Sequence, residues 1–225
     1  SLNYMKVCVL GSGGFIGKNI LSGTDWDGAT KYDLDLLNQG EVEEYFKKHK
    51  YDVVIHCAAS IDQSSQNTTY KNILMFENVV RVFKGKLLYF SSGAALRGDP
   101  PKDPYGLSKW IIDRRIKTLP NVYSLRVWGC YGHGELPTRF SAVCRRDGRV
   151  VIDKDRYFDY VSIKTVKEIV QQYVTSKKKL VKYCDLVDKK KMLLSEWAQF
   201  FGATYEIRDT SGLGEPYISS TPTSF

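Results

Sequence analysis

The strongest constraint on the fold is a glycine-rich turn set between an apolar strand and a helix near the start of the chain. Lys6-Val7-Cys8-Val9-Leu10 reads as a short buried strand, and Gly14–Leu21 as the helix that follows. Between and into them runs Gly11-Ser12-Gly13-Gly14-Phe15-Ile16-Gly17. Gly11 permits the sharp turn, Gly14 lets the backbone approach a pyrophosphate closely, and Gly17 lets the helix pack against the sheet. The helix N-terminus offers free N–H groups and the positive end of its dipole to phosphate. A P-loop is the rival phosphate cradle. It requires glycine at Ser12 and Ser or Thr at Asn19, so the sequence excludes it.

The rest of the chain supplies the context that such a turn needs. Helical spacing over Glu41–His49, Tyr70–Phe83 and Ser108–Lys117 alternates with strands over Asp52–Cys57, Lys86–Phe90 and Val122–Val127. The strands are continuous apolar runs, as in a parallel sheet covered by helices on both faces. Right-handed crossovers then give an α/β, doubly wound sheet with its ligand crevice at the carboxyl ends of the strands. Beyond Val127 the rhythm loosens: a glycine-rich stretch over Gly129–Pro137, helices over Thr165–Val174 and Leu194–Phe201, and a strand over Leu180–Cys184. The tail, Gly212–Phe225, lacks periodicity and is expected to be disordered or to lie against the surface. This spacing predicts a dinucleotide-binding domain over 5–165 and a short C-terminal substrate-binding part over 166–225, interwoven with 128–150.

Composition narrows the function classes. At 225 residues, 43% hydrophobic and 26% charged, the chain suits one substantial domain with at most a small appendage. No stretch approaches the roughly 20 apolar residues of a membrane-spanning helix, and no signal-peptide pattern opens the sequence. The residues ahead of Met5 are given no structural role. Cys8, Cys57, Cys130, Cys144 and Cys184 lie far apart without a CxxC pair, which argues against structural zinc and a disulfide framework and for a cytoplasmic setting. The net charge of +8 is scattered apart from Lys177-Lys178-Lys179, so no nucleic acid or membrane partner is expected. A positive field suits a small anionic ligand.

The Gly11/Gly14/Gly17 spacing resembles the short-chain dehydrogenase/reductase superfamily, and Gly-Phe-Ile-Gly its extended branch, the NAD-dependent nucleotide-sugar epimerases, dehydratases and reductases. The similarity continues over most of residues 5–175. Asp35-Leu36 is similar to the family's Asp-hydrophobic pair beside the adenine, and His56-Cys57-Ala58-Ala59 to its cofactor-lining strand end. Asn72 resembles its helix asparagine, and Leu125-Arg126 with Gly129–Gly134 its Leu-Arg…Tyr-Gly-Pro-Gly region. The resemblance implies a Rossmann-like fold, NAD or NADP as cofactor, and a nucleotide-sugar substrate. Gly11, Gly14, Phe15, Ile16, Gly17, Asp35, Leu36, Cys57, Ala58, Ala59, Asn72 and Ser91 would line the cofactor. Asp35 on its own reads equally as a cap of the following helix.

Pro104-Tyr105-Gly106-Leu107-Ser108-Lys109 contains Tyr-x-x-x-Lys, and residues four apart share a helix face. An ammonium beside a phenol favours the phenolate, drawing down a pKa that is ordinarily about 10. Tyr105 would then exchange a proton with a sugar hydroxyl while hydride passes to or from the nicotinamide. By the resemblance, Lys109 also contacts the nicotinamide ribose. The third catalytic group should be a hydroxyl. Counting back from Leu96 selects Ser92; counting from Phe90 puts Gly93 there and leaves none.

Three departures from the family stand out. Gly93-Ala94 replaces the Asp-Glu of dehydratases, Tyr160-Val161-Ser162-Ile163-Lys164-Thr165 replaces Tyr-Val-Asp-Asp, and the C-terminal part is short. A reduced sugar site follows, or one completed by a partner in a homodimer. Cys130 and His133 are candidate substrate-facing groups. The expected function is an NAD(P)-dependent nucleotide-sugar epimerase or ketoreductase. The alternative is a non-catalytic NAD(P)-binding regulatory or sensor protein.

Overall fold

The computed structural model describes residues 4–221. Its contacts divide the chain into one unit comprising residues 1–126 and 167–184 and a second comprising 127–166 and 185–225. The periodicity alone drew the line at residue 165. The difference arises because 167–184 packs back with the first unit while 127–166 builds the second.

The first unit carries β1 (Val7–Leu10), α1 (Phe15–Leu21), β2 (Asp27–Ala29), α2 (Gln39–Lys48), β3 (Val53–His56), α3 (Gln66–Val80) and β4 (Lys86–Ser92). A 3-10 helix (Gly93–Leu96), α4 (Pro104–Ile116) and β5 (Val122–Val127) follow. With β10 (Tyr183–Leu186), these strands form a six-stranded sheet in the order β10-β5-β4-β3-β1-β2. β2, β1, β3 and β4 pair in parallel. Every residue of β1 and β3 is buried, as continuous apolar runs require. The fold is α/β and Rossmann-like, as expected. The chain winds outward to β2 on one side of β1 and to β3 on the other, so the strand order reverses between them. Ligands of open parallel sheets sit at the carboxyl ends of such a pair.

Two element boundaries matter for function. α4 starts at Pro104, four residues earlier than the periodicity placed it, because Asp103 caps it by accepting from the Gly106 N–H at 2.7 Å. Asp followed by Pro at the first helical position is a readable start signal. α3 likewise begins at Gln66, capped by Ser65.

The second unit differs most from expectation. β6 (Gly129–Tyr131) pairs in parallel with β9 (Tyr160–Ser162), and β7 (Arg149–Lys154) with β12 (Thr204–Asp209). β8 (Tyr157–Phe158) pairs antiparallel with β11 (Met192–Leu193). α5 (Phe140–Asp147) and α7 (Leu194–Phe200) cover a core that includes Cys144, Ile152, Tyr160 and Trp197. α6 (Ile163–Thr175) leads back into the first unit. The tail is tied in as far as residue 221: Asp159 N–H donates to Tyr217 O, and the Ser219 hydroxyl donates to Asp185 Oδ2 at 2.5 Å. Residues 222–225 of the tail lie outside the described residues, as do 1–3.

Candidate active site

The glycine turn sits where the strand order reverses. Cys57 N–H donates to Leu10 O, and Gly11 and Ser12 N–H both donate to Ala29 O, so the turn is bonded to the ends of β1, β2 and β3 together. Gly11 has φ +75°, and a Cβ there would stand 2.5 Å from Ala58 N. A Cβ on Gly17 would fall 2.2 Å from Gly11 O. Both glycines are therefore required by the chain itself, Gly17 through its contact with the turn rather than with the sheet. Gly14 differs. Its φ of −81° suits any residue, and a Cβ would meet only Gly11 O, at 3.7 Å. Gly13 and Gly14 are exposed, with Phe15 and Ile16 half-buried behind them. The space that a Gly14 side chain would fill is the space a pyrophosphate needs, so the residues present fit a dinucleotide.

Tyr105 and Lys109 lie one turn apart on α4, with the ammonium 5.6 Å from the centre of the phenol ring. Lys109 is 2% exposed. Its Nζ donates to Tyr89 Oη at 2.8 Å and to Phe90 O at 2.9 Å, and among the described residues no carboxylate touches it. Burial pushes its pKa down to about 8, with Asp113 and then Cys57 opposing. The same burial, followed by the Lys109 charge, holds His56 near 3. Burial pushes the Cys57 thiol up. It also raises Asp113, against the Ser124 hydroxyl, Arg126, Ser91 and Lys109. Sequence reasoning missed Tyr89 and Asp113. Tyr89 precedes Ser91 by two on β4 and so shares its face, and Asp113 follows Lys109 by one helical turn.

The serines divide as strand alternation requires. Ser91 is buried on the face toward Asp113. Ser92 caps the 3-10 helix, its Oγ accepting from Ala94 N–H at 3.0 Å, which leaves its proton free to donate.

Two expected cofactor contacts serve the protein instead. Asn72 is 2% exposed; its amide bonds the N–H and C=O of Ser60 and the Ser108 hydroxyl, tying the loop after β3 to α4. Leu36, with Leu34, is buried in the core, because alternation turns Asp35 outward between them. Asp35 closes a turn by accepting from Leu37 N–H, and the cap of α2 is Asn38. Cys130 and His133 belong to the second unit. Burial pushes the Cys130 thiol up to about 12, and His133 is exposed. Among the described residues no group of three His, Cys, Asp or Glu side chains is placed to hold a metal, and no helix is long and apolar enough to cross a membrane.

Residues 7–140 match the model of the NAD dependent epimerase/dehydratase family, more than half of the chain. The chain belongs to that family. The expected cofactor, NAD or NADP, goes with it. This family member is 30% identical over 108 residues to the UDP-glucose 4-epimerase of Pongo abelii, covering 39% of this chain and 31% of that one. The match thus spans less than a third of that relative's length. In fold it is similar to a dTDP-4-dehydrorhamnose reductase from Bacillus anthracis in complex with NADP, with TM-score 0.81 and 18% identity over 95% of this chain and 88% of that one. It is also similar to a Thermus thermophilus UDP-glucose 4-epimerase in complex with NAD, with TM-score 0.75 and 20% identity over 96% and 90% of the two chains.

Proposed function

We propose that this chain is an NAD(P)-dependent epimerase or ketoreductase of a nucleotide-activated sugar, with Tyr105 as its acid–base group. The observation that carries the reading is the buried Lys109 ammonium beside the Tyr105 ring, on the helix that faces the end of β4. A cation with no carboxylate in contact, placed next to a phenol, favours the phenolate over the phenol. The bound dinucleotide supplies the hydride donor or acceptor.

The protein's residues do the rest. The turn around Gly14 leaves room for the pyrophosphate. Tyr105 Oη takes the proton from a sugar hydroxyl as it is oxidised, or returns it as a carbonyl is reduced. Ser92 keeps an O–H to donate to the same sugar oxygen. Lys109 spends two of its three N–H donors on Tyr89 and Phe90, which leaves one for the nicotinamide ribose. Nucleotide-sugars appear in the names of the enzymes this chain resembles, a UDP-glucose 4-epimerase and a dTDP-4-dehydrorhamnose reductase, which supports the substrate class.

The test is a panel of UDP-, dTDP- and GDP-sugars, first for binding and then for turnover, with Tyr105→Phe beside the wild type. The variant should keep its fold and cofactor affinity while its rate falls by about 10²–10⁴. Turnover by Tyr105→Phe at the wild-type rate would remove this mechanism. The cofactor-sensing reading would then replace it.

A further inference from the structure

We infer that this chain selects NADP(H) over NAD(H), and that Thr30, Lys31 and Tyr32 form the pocket for the phosphate on the adenosine ribose. The inference rests on the dinucleotide reading of the glycine turn and goes beyond it in naming which dinucleotide the site takes. Residue types alone leave the choice open, because Lys31 and Asp33 stand two apart in the same segment. Geometry separates them.

The end of β2 lies against the glycine turn, since Gly11 and Ser12 N–H both donate to Ala29 O. The next residue is Thr30, whose Cγ2 would stand 3.6 Å from a Cβ added at Gly13. The side chain that faces the turn from this strand end is therefore neutral. Selection of NAD rests on a carboxylate that accepts from the ribose hydroxyls, and that same charge repels a 2′-phosphate. The acid in the segment, Asp33, is turned away from such a task. Its Oδ2 accepts from Thr30 N–H at 2.9 Å and from Thr30 Oγ1 at 3.0 Å, closing the turn after β2. Those bonds also hold its pKa below the ordinary carboxylate range, so the charge is anchored to the turn. Asp35 is occupied in the same way by Leu37 N–H at 3.0 Å.

Lys31 and Tyr32 remain. Tyr32 is 88% exposed, and the Lys31 ammonium stands 5.2 Å from the centre of its ring. Lys31 has no carboxylate partner among the described residues. An exposed cation beside an exposed aromatic ring suits a phosphate attached to a purine nucleoside: the ammonium takes the charge and the ring takes the base.

Calorimetric titration of the full chain with NADPH and with NADH tests this directly. NADPH should bind at least tenfold more tightly, with the gap narrowing as salt rises from 50 to 300 mM, as expected for an exposed charge contact. Lys31→Ala should bring NADPH close to the affinity of NADH and leave NADH unchanged. Thr30→Asp should reverse the preference. Adenosine 2′,5′-bisphosphate should compete with NADPH, and AMP should compete far less. Equal or tighter binding of NADH by the wild type overturns the inference and leaves the dinucleotide reading standing. So does a Lys31→Ala variant that loses both cofactors alike, because the lysine would then serve the fold. Failure to bind either dinucleotide removes the dinucleotide reading and this inference with it. A thermal melt of each variant confirms that the comparison is between folded proteins.

Discussion

Replacing Lys109 by methionine should make the stability difference from the wild type depend on pH, with a size set by the burial of the ammonium. In the folded chain the Lys109 pKa is lowered from 10.5 to about 8. In the unfolded chain the lysine returns to its ordinary value. Between these two values the unfolded state holds one more proton than the folded state, so this group adds stability as pH rises. Each pH unit in the window is worth up to about 1.4 kcal/mol, and the full shift roughly 3 kcal/mol. Cysteines and tyrosines away from Lys109 titrate alike in both proteins and cancel in the difference. The losses of the bonds to Tyr89 and Phe90 are also constant with pH. Urea unfolding of both proteins at pH 7 and pH 10 reads the quantity. Any advantage of Lys109→Met at pH 7 should shrink, or any deficit grow, by about 2–3 kcal/mol at pH 10. A difference that stays flat across that range would mean the ammonium is solvated, and the electrostatic account of Tyr105 would lose its basis.

The glycine turn and the reaction class give two more expectations. Gly14→Val should fold normally, since its Cβ meets only Gly11 O at 3.7 Å, yet lose dinucleotide binding in calorimetry; Gly17→Ala should melt well below the wild type because its methyl would stand 2.2 Å from Gly11 O. Gly93 and Ala94, both buried in the 3-10 helix where dehydratases carry an acidic pair, supply no acid–base group. Incubation with nucleotide-hexoses should therefore yield no 4-keto-6-deoxy product, and mass spectrometry that detects loss of water would refute this.

The sequence was most legible where one residue run maps onto one buried element. β1 is apolar throughout and β3 is apolar up to His56, and both are buried throughout, so the parallel sheet could be read directly. The second unit could not, because its pairings are distant and its strands short. β7 finds its partner β12 with Arg149 opposite Thr204, and β8 and β11 have two residues each. No local period announces such pairs. The same contrast holds within the site. Gly11 and Gly17 were legible because the turn needs them. Leu36 and Asn72 were assigned to the cofactor by resemblance alone, and the structure gives their side chains to the core and to the Ser60 loop. The Tyr-x-x-x-Lys spacing was legible as a pair on one face, but the burial of its lysine was not. Spacing on a helix says which residues are neighbours, and the packing of α4 against the end of β4 decides what solvent reaches them.

That burial bears on function in a way the pair alone does not. A lysine held among neutral acceptors is destabilised relative to one in water, and the nearest acid could relieve it. Asp113, one turn away on α4, is placed instead on the Ser124 hydroxyl at 2.7 Å. The carboxylate thus acts on Lys109 only through space, as the smaller, opposing cause of its shift. A direct ion pair would stabilise the ammonium but cancel the field at Tyr105, and the phenolate would lose its support. The arrangement therefore sets a limit in both directions. Moving a carboxylate into contact, as Tyr89→Glu would do at the position whose hydroxyl accepts from Lys109 Nζ at 2.8 Å, should raise the Lys109 pKa. It should also shift the controlling pKa of the pH–rate profile upward, because Tyr105 then faces a neutralised pair. A folded variant with a raised lysine pKa and an unchanged pH–rate profile would show that Tyr105 draws its reactivity from elsewhere.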